Sequence, residues 1–190
     1  MLDTLKSATT MADTTTNLID EKAVFARWNE LDAEAAAREV LPCCGSTAWA
    51  EALAARRPFE DAAELFTISD AVWSGLAEDD WCEAFDSHPR IGQQKAKAAT
   101  AESLAWSSEE QRAAMNSDET AKLALVEANR QYEEKFGRIF IVCASGRSTA
   151  EILAICKGRM DNDAAREMLE AAEQQRQITQ LRLRRWLGVN

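Results

Sequence analysis

The sequence contains little histidine, proline or glycine: one histidine, three prolines and seven glycines in 190 residues. A single histidine excludes metal or haem sites that are built from several histidines. The scarcity of helix-breaking residues, together with abundant Ala, Glu, Leu and Arg, favours a mostly helical protein. No run approaches 18 apolar residues, so the sequence predicts no transmembrane helix and no membrane partner.

The cysteines also lack the spacing of a disulfide framework or a zinc site. There are five, an odd number, and no two are spaced as CxxC: Cys43, Cys44, Cys82, Cys143 and Cys156. This pattern is typical of buried free thiols in a reducing compartment. The Cys43-Cys44 pair has no second cluster to complete a metal site, and we therefore expect no metal.

Positive charge is in deficit, since the formal net charge is −10. An acidic chain argues against a nucleic-acid partner, and an anionic ligand would need a local Arg or Lys. Residues 1–19 lack the apolar segment of a signal peptide, and the C-terminus carries no peroxisomal signal. We expect a disordered lead-in over 1–19, one domain over 20–187, and a cytoplasmic protein.

Helical periodicity predicts an all-α single domain of about seven to eight helices. Three stretches spell a capping box and predict helix starts: Asp80–Glu83, Ser107–Glu110 and Ser148–Glu151. Leu41-Pro42 predicts the end of a helix that begins near Asp32. The strand-like run Ile139–Ala144 has no partner, which indicates a buried extended segment rather than a sheet.

The sequence has no P-loop, GxGxxG, HExxH or GxSxG motif, and the remaining candidates for chemistry are few. His88 precedes Pro89 and should stand where a helix ends, as a side chain that titrates near neutral pH. Glu110 and Arg182 are the other two candidate catalytic residues. Each has a structural alternative: His88 as a helix cap, Glu110 as the partner of Ser107 in a capping box, and Arg182 as a solvated arginine near a helix C-terminus.

Order and spelling of four motifs resemble the OHCU decarboxylases, which act on 2-oxo-4-hydroxy-4-carboxy-5-ureidoimidazoline (OHCU). The motifs are SHPRIG from Ser87, SSEEQ from Ser107, KFGRIFIVCASGRS from Lys135 and ITQLRL from Ile178. The resemblance covers about residues 20–187.

The resemblance implies loss of CO₂ from C4 of the substrate and delivery of a proton to C5, which gives (S)-allantoin in urate catabolism. His88 matches the family's acid/base, Glu110 its glutamate, and Arg182 the arginine that reaches in from the last helix. The segments implied to bind substrate are Pro89, then Ser107, Ser108, Glu109, Glu110 and Gln111, then Phe140, Ile141, Val142, Cys143 and Ala144. Relatives also imply a homodimer.

The residue types suit this chemistry without a cofactor. The C=N carbon beside the carboxylated carbon can accept the electrons released with CO₂, so no metal or pyridoxal group is required. An arginine can hold the anionic ring, and an imidazole can handle the hydroxyl and C5 protons. Which of His88 and Glu110 moves which proton stays open. Two other functions remain: a non-catalytic helical module that binds a partner helix, and another ureide or small-anion lyase.

Overall fold

The computed structural model describes residues 21–91, 99–110 and 119–189. Nine α-helices and no strand occur in this part of the chain, which confirms the all-α prediction with a slightly higher helix count. They are α1 (Glu21–Glu30), α2 (Ala33–Cys44), α3 (Thr47–Ala54), α4 (Ala62–Ser74), α5 (Glu78–Asp86), α6 (Ala101–Glu110), α7 (Glu119–Phe136), α8 (Thr149–Arg159) and α9 (Ala164–Leu187). No described helix is both long and apolar enough to cross a membrane.

Two of the three predicted capping boxes were wrong, as was one predicted helix end. α5 begins before Asp80, whose carboxylate accepts from the N–H of Ala77 at 3.2 Å. Ser107–Glu110 lies within α6, which begins six residues earlier at Ala101, and is not a helix start. α2 continues through Pro42 for two more residues and ends at Gly45, whose φ of +89° closes the helix.

The Ser148–Glu151 box is confirmed. The backbone N–H of Glu151 donates to Ser148 Oγ, and the backbone N–H of Ser148 donates to the Glu151 carboxylate. Ser46 caps α3 and Asp163 caps α9 through side-chain oxygens that accept from backbone N–H groups of the first turn. Helical periodicity predicts Leu181 on the inward face of the last helix, but its side chain is 39% exposed, so that prediction was wrong.

The buried side chains form two clusters on either side of the Ile139–Ala144 segment. The larger cluster joins α1 to α5 with α9, and the smaller joins α7 with α8. Ile139, Ile141 and Cys143 pack into the larger cluster, whereas Phe140, Val142 and Ala144 pack into the smaller one. This two-residue alternation confirms a buried extended segment without a partner strand among the described residues.

A close backbone approach fixes the end of α5 against the turn between α2 and α3. A Cβ atom at Gly45 would lie 2.1 Å from Ser87 Oγ and 2.5 Å from Ser87 Cβ. Ser87 is the C-cap of α5 and directly precedes His88. Glycine at position 45 therefore allows the packing that places the histidine.

Candidate active site

A small cavity lies where the end of α5, the last turn of α6, the extended segment and α9 meet. Its volume is about 30 Å³. The lining residues are His88, Pro89, Ile91, Ser107, Glu110, Phe140, Ile141, Val142, Ala144 and Ile178. Residues distant in sequence thus converge on one cavity, and eight of them belong to the predicted site.

Ser108, Glu109 and Cys143, which also belong to the predicted site, do not line this cavity. Ser108 and Glu109 are on the exposed side of α6, where Glu109 pairs with Arg185 at 3.5 Å. Cys143 points away from the cavity and lines a separate groove beside Arg176 and Arg184. Gln111 lies outside the described residues.

His88 is buried and held by the end of its helix. Its backbone N–H donates to the carbonyl of Phe85 at 3.0 Å, and the imidazole Nε2 is buried without a hydrogen-bond partner in the described structure. Burial, and then the positive charge of Arg182, lower the pKa of His88 to about 3, against an opposing contribution from Gln175. The imidazole is therefore neutral near neutral pH and can accept a proton.

Arg182 and Glu110 form a nearly buried pair across α9 and α6. The guanidinium donates to both carboxylate oxygens, from Nε at 3.1 Å and from Nη2 at 3.0 Å. Nη2 also donates to Ser107 Oγ at 2.8 Å, and Nη1 donates to the carbonyl of Pro42 at 3.3 Å. Arg182 is 1% exposed, so the solvated-arginine alternative does not describe it.

This pairing also accounts for the incorrect capping-box prediction at Ser107. The two residues that spell the box, Ser107 and Glu110, hydrogen-bond to Arg182 instead of capping a helix. Arg182 itself is not a cavity-lining residue but lies behind Glu110 and Ser107. The structure thus brings together His88, Glu110 and Arg182, with the carboxylate turned to the arginine.

Sequence reasoning missed Ile91, Ile178 and Gln175 as residues of the site. Ile91 and Ile178 line the cavity, and the Gln175 amide donates to the carbonyl of Cys44 at 3.2 Å beside His88. Gln175, Ile178 and Arg182 occupy one face of α9, as their three- and four-residue spacing requires. That spacing was visible in the sequence, but it predicted only burial.

A larger groove, of about 490 Å³, lies between α2 and α3. Its lining includes four alanines and none of the candidate residues: Ala33, Glu34, Ala37, Arg38, Leu41, Thr47, Ala50, Glu51 and Ala55. It offers no buried acid/base group. We therefore assign the chemistry to the smaller cavity, which has convergent polar groups and a perturbed histidine.

Comparison with known proteins agrees with this geometry. The family model described as OHCU decarboxylase matches residues 29–184. The bifunctional uric acid degradation protein TTL of Arabidopsis thaliana is 36% identical over 142 residues, or 74% of this chain, and the chain spans 44% of that relative's length. An OHCU decarboxylase of Amia calva is 31% identical over 137 residues, covering 61% of this chain and 77% of that protein.

Solved structures share the fold. A crystal structure of an OHCU decarboxylase in the presence of (S)-allantoin matches with a TM-score of 0.67 at 32% identity, covering 82% of this chain and 97% of that one. A crystal structure of (S)-allantoin synthase matches with a TM-score of 0.63 at 17% identity, covering 87% of this chain and 53% of that one. The second likeness concerns the fold alone.

Proposed function

This chain belongs to the OHCU decarboxylase family, and we propose on that basis that it decarboxylates OHCU to (S)-allantoin in urate degradation. The observation that carries the proposal is the convergence of the lone histidine with the Glu110–Arg182 pair at one cavity. A helical adaptor has no need to desolvate a histidine beside a buried ion pair. The likeness to a structure obtained in the presence of (S)-allantoin supports the same reaction.

In the proposed mechanism His88 carries the hydroxyl proton to C5. The C4–carboxylate bond breaks and CO₂ leaves, while the bond's electrons form a C4–C5 double bond. The electrons of the C=N double bond move to its nitrogen, which takes a proton from solvent water. Neutral His88 then accepts the proton of the C4 hydroxyl, and returning it to C5 leaves a C4 carbonyl. One neutral base thereby performs both transfers, and the lowered pKa of His88 keeps the imidazole neutral before the substrate binds.

Arg182 and Glu110 act as a unit in this proposal. The substrate carboxylate would be repelled by Glu110 alone, and the guanidinium behind it offsets that charge. Glu110 is held by Arg182 at both of its carboxylate oxygens and can also accept from the ureido N–H groups. Because both its oxygens contact Arg182, we assign the proton transfers to His88 and an orienting role to Glu110.

Substrate binding requires the cavity to widen. A volume of about 30 Å³ is close to that of one water molecule, whereas OHCU is a ring with a ureido arm and a carboxylate. The backbone edge of the Phe140–Ala144 run and the side chains of Pro89 and Ser107 are the proposed substrate contacts.

The decisive experiment generates OHCU from urate with the two preceding enzymes, adds this protein, and follows allantoin by circular dichroism. We expect faster formation of allantoin with one handedness. Racemic allantoin at the uncatalysed rate would contradict the proposed function and would favour the helical binding module.

We further propose a cytoplasmic homodimer. The five cysteines form no disulfide with one another, which supports the location. Leu123 and Leu169, which are 66% and 63% exposed, offer apolar surface to a second copy. Light scattering during size-exclusion chromatography should give twice the mass of the chain, and a monomer would refute the dimer.

A further inference from the structure

The extended segment Ile139–Ala144 is held along one backbone edge by side chains rather than by another strand. Arg159 Nη1 donates to the carbonyl of Ile141 at 2.8 Å, and the N–H of Cys143 donates to Gln174 Oε1 at 3.0 Å. Arg147 Nε donates to the carbonyl of Cys143 at 3.0 Å. Residues two apart in an extended chain turn their backbone groups to the same side, so these contacts define one edge.

The opposite edge belongs to the cavity. The alternation turns the backbone groups of Phe140, Val142 and Ala144 away from Arg159 and Gln174. These three residues line the cavity together with Ile141, His88 and Glu110. The position of this edge relative to His88 therefore depends on how firmly the first edge is held.

Arg159 is itself fixed by a buried network between α7, α8 and α9. Its Nε donates to Glu167 Oε1 at 2.9 Å, and Asn162 Nδ2 donates to Glu167 Oε2 at 2.8 Å. The Tyr132 hydroxyl donates to the same carboxylate. Burial acts to raise the pKa of Glu167, yet hydrogen bonds from Arg159, Tyr132 and Asn162 hold it below its usual value.

The cost of this network points to a role beyond stability. Glu167 is fully buried and Arg159 is 6% exposed, and burying such a pair costs desolvation energy that the attraction often only offsets. What the pair does provide is a donor fixed against a backbone carbonyl. The guanidinium also lies over the Phe140 ring, 4.8 Å from its centroid, and so contacts the segment at two adjacent residues.

We propose that Arg159 and Gln174 are positioning residues for the reaction: they replace a neighbouring strand and hold the Phe140–Ala144 edge in place to bind substrate beside His88. The inference rests on the proposed function and assigns a role to residues remote from the reacting atoms. Neither residue lines the cavity.

The first test is Arg159→Lys. Lysine keeps a positive charge beside Glu167 but has one nitrogen, so it cannot form the forked contact and still reach the Ile141 carbonyl. We expect the KM for OHCU and the Kd for (S)-allantoin to rise together by about tenfold, the equivalent of one net hydrogen bond. kcat should change by less than about threefold, since His88 is untouched.

Arg57→Lys is the matched control. Arg57 also donates to backbone carbonyls, those of Trp28 and Leu31, but it lies far from the cavity. Its replacement should lower the melting temperature as Arg159→Lys does and leave the KM and Kd of the folded protein unchanged. A similar rise in KM and Kd in both variants would show a general loss of structure and overturn the inference.

Gln174 supplies a test without a buried charge, which keeps the inference falsifiable if Arg159→Lys does not fold. Gln174→Leu removes the acceptor for the Cys143 N–H and should raise KM and Kd severalfold. Gln177→Leu, which removes an amide that donates to Glu173 on the same helix, is the matched control and should leave both unchanged. Wild-type affinities in Gln174→Leu would overturn the inference, as would a loss confined to kcat. An inactive wild-type protein that does not bind allantoin would instead contradict the proposed function.

Discussion

His88 owes its chemical character to its surroundings rather than to its ordinary pKa. An exposed histidine would be half protonated near pH 6.5, and the sequence suggested a proton carrier of that kind. Burial and the charge of Arg182 instead lower its pKa to about 3. An anionic substrate adds negative charge beside the ring and raises its basicity at the moment when a base is needed.

This lowered pKa makes stability depend on pH. Between pH 6.5 and about 3 the unfolded chain binds a proton at His88 that the folded chain does not, so the free energy of unfolding falls as pH is lowered through this window. His88→Asn lacks this dependence. Urea denaturation from pH 7 to pH 4 should give a wild-type slope steeper than that of His88→Asn by up to about 1.4 kcal/mol per pH unit. Parallel curves would mean that His88 is not desolvated.

Enzyme kinetics provide a second test of His88. His88→Asn should abolish the formation of optically active allantoin while the protein stays folded at pH 7. In the wild type, kcat/KM should lack an acidic limb near pH 6.5, because the free enzyme's imidazole is already neutral there. An acidic limb of kcat/KM centred at pH 6.5 in the wild type would contradict the lowered pKa of His88.

Glu110 and Arg182 should behave as one functional unit. Glu110→Gln and Arg182→Lys should each lower kcat/KM by about 1.5–3 kcal/mol, since each breaks a charged, forked contact. The double variant should lose less than the sum, with a coupling energy of about 0.5–3 kcal/mol. The control is Arg184→Lys. Arg184 lies on the same helix as Arg182 but stacks on Phe66 of α4, so its replacement should leave kcat/KM unchanged. Additive losses in kcat/KM would show that Glu110 and Arg182 act independently and would contradict the proposed unit.

Among the structural elements, the turn between α2 and α3 shows how a backbone detail reaches the active site. Gly45→Ala places a methyl group against Ser87 and forces a left-handed conformation on alanine. We expect a loss of about 2–4 kcal/mol in the free energy of unfolding and reduced activity, since Ser87 precedes His88.

The matched control for that turn is Gly137→Ala. Gly137 has φ +69°, but a Cβ added there would have no atom within 4 Å, so only the conformational cost of about 1–2 kcal/mol applies. Adding Ser87→Gly to Gly45→Ala should recover part of the lost stability by removing the clash. Equal losses at positions 45 and 137 would show that the approach of Ser87 has no influence.

Helix ends were predictable where the capping residues have no competing partner. Ser148 and Glu151 spell a capping box and form one, because both side chains bond only within their own turn. Ser107 and Glu110 spell the same box, but the guanidinium of Arg182 occupies both. A local pattern cannot reveal a hydrogen-bond partner on a helix that is distant in sequence. Ser107 and Glu110 bond to Arg182 because contacts to a charged guanidinium are stronger than the bonds of a capping box.

At the level of the whole molecule, the sequence predicted the all-α class and most of the cavity's lining, since periodicity and motif order carry that information. It did not predict that Cys143 would face away from the cavity. Cys143 packs into the larger cluster as Ile141 does, but only Ile141 also reaches the cavity, and a two-residue alternation cannot separate the two. The pairing of Glu110 with Arg182 rather than with His88 required the fold as well.

The last prediction concerns the whole chain's capacity to work without a metal. It has one histidine, no group of three potential ligands converges among the described residues, and burial raises the pKa of the Cys43 and Cys44 thiols, which disfavours thiolate ligands. The electrons released with CO₂ have an acceptor in the substrate's own C=N bond. Dialysis against EDTA should therefore leave the rate of optically active allantoin formation unchanged, with His88→Asn as the inactive baseline. A rate that falls on dialysis and returns with zinc or magnesium would require a metal ligand set in the chain and would replace His88 as the centre of the mechanism.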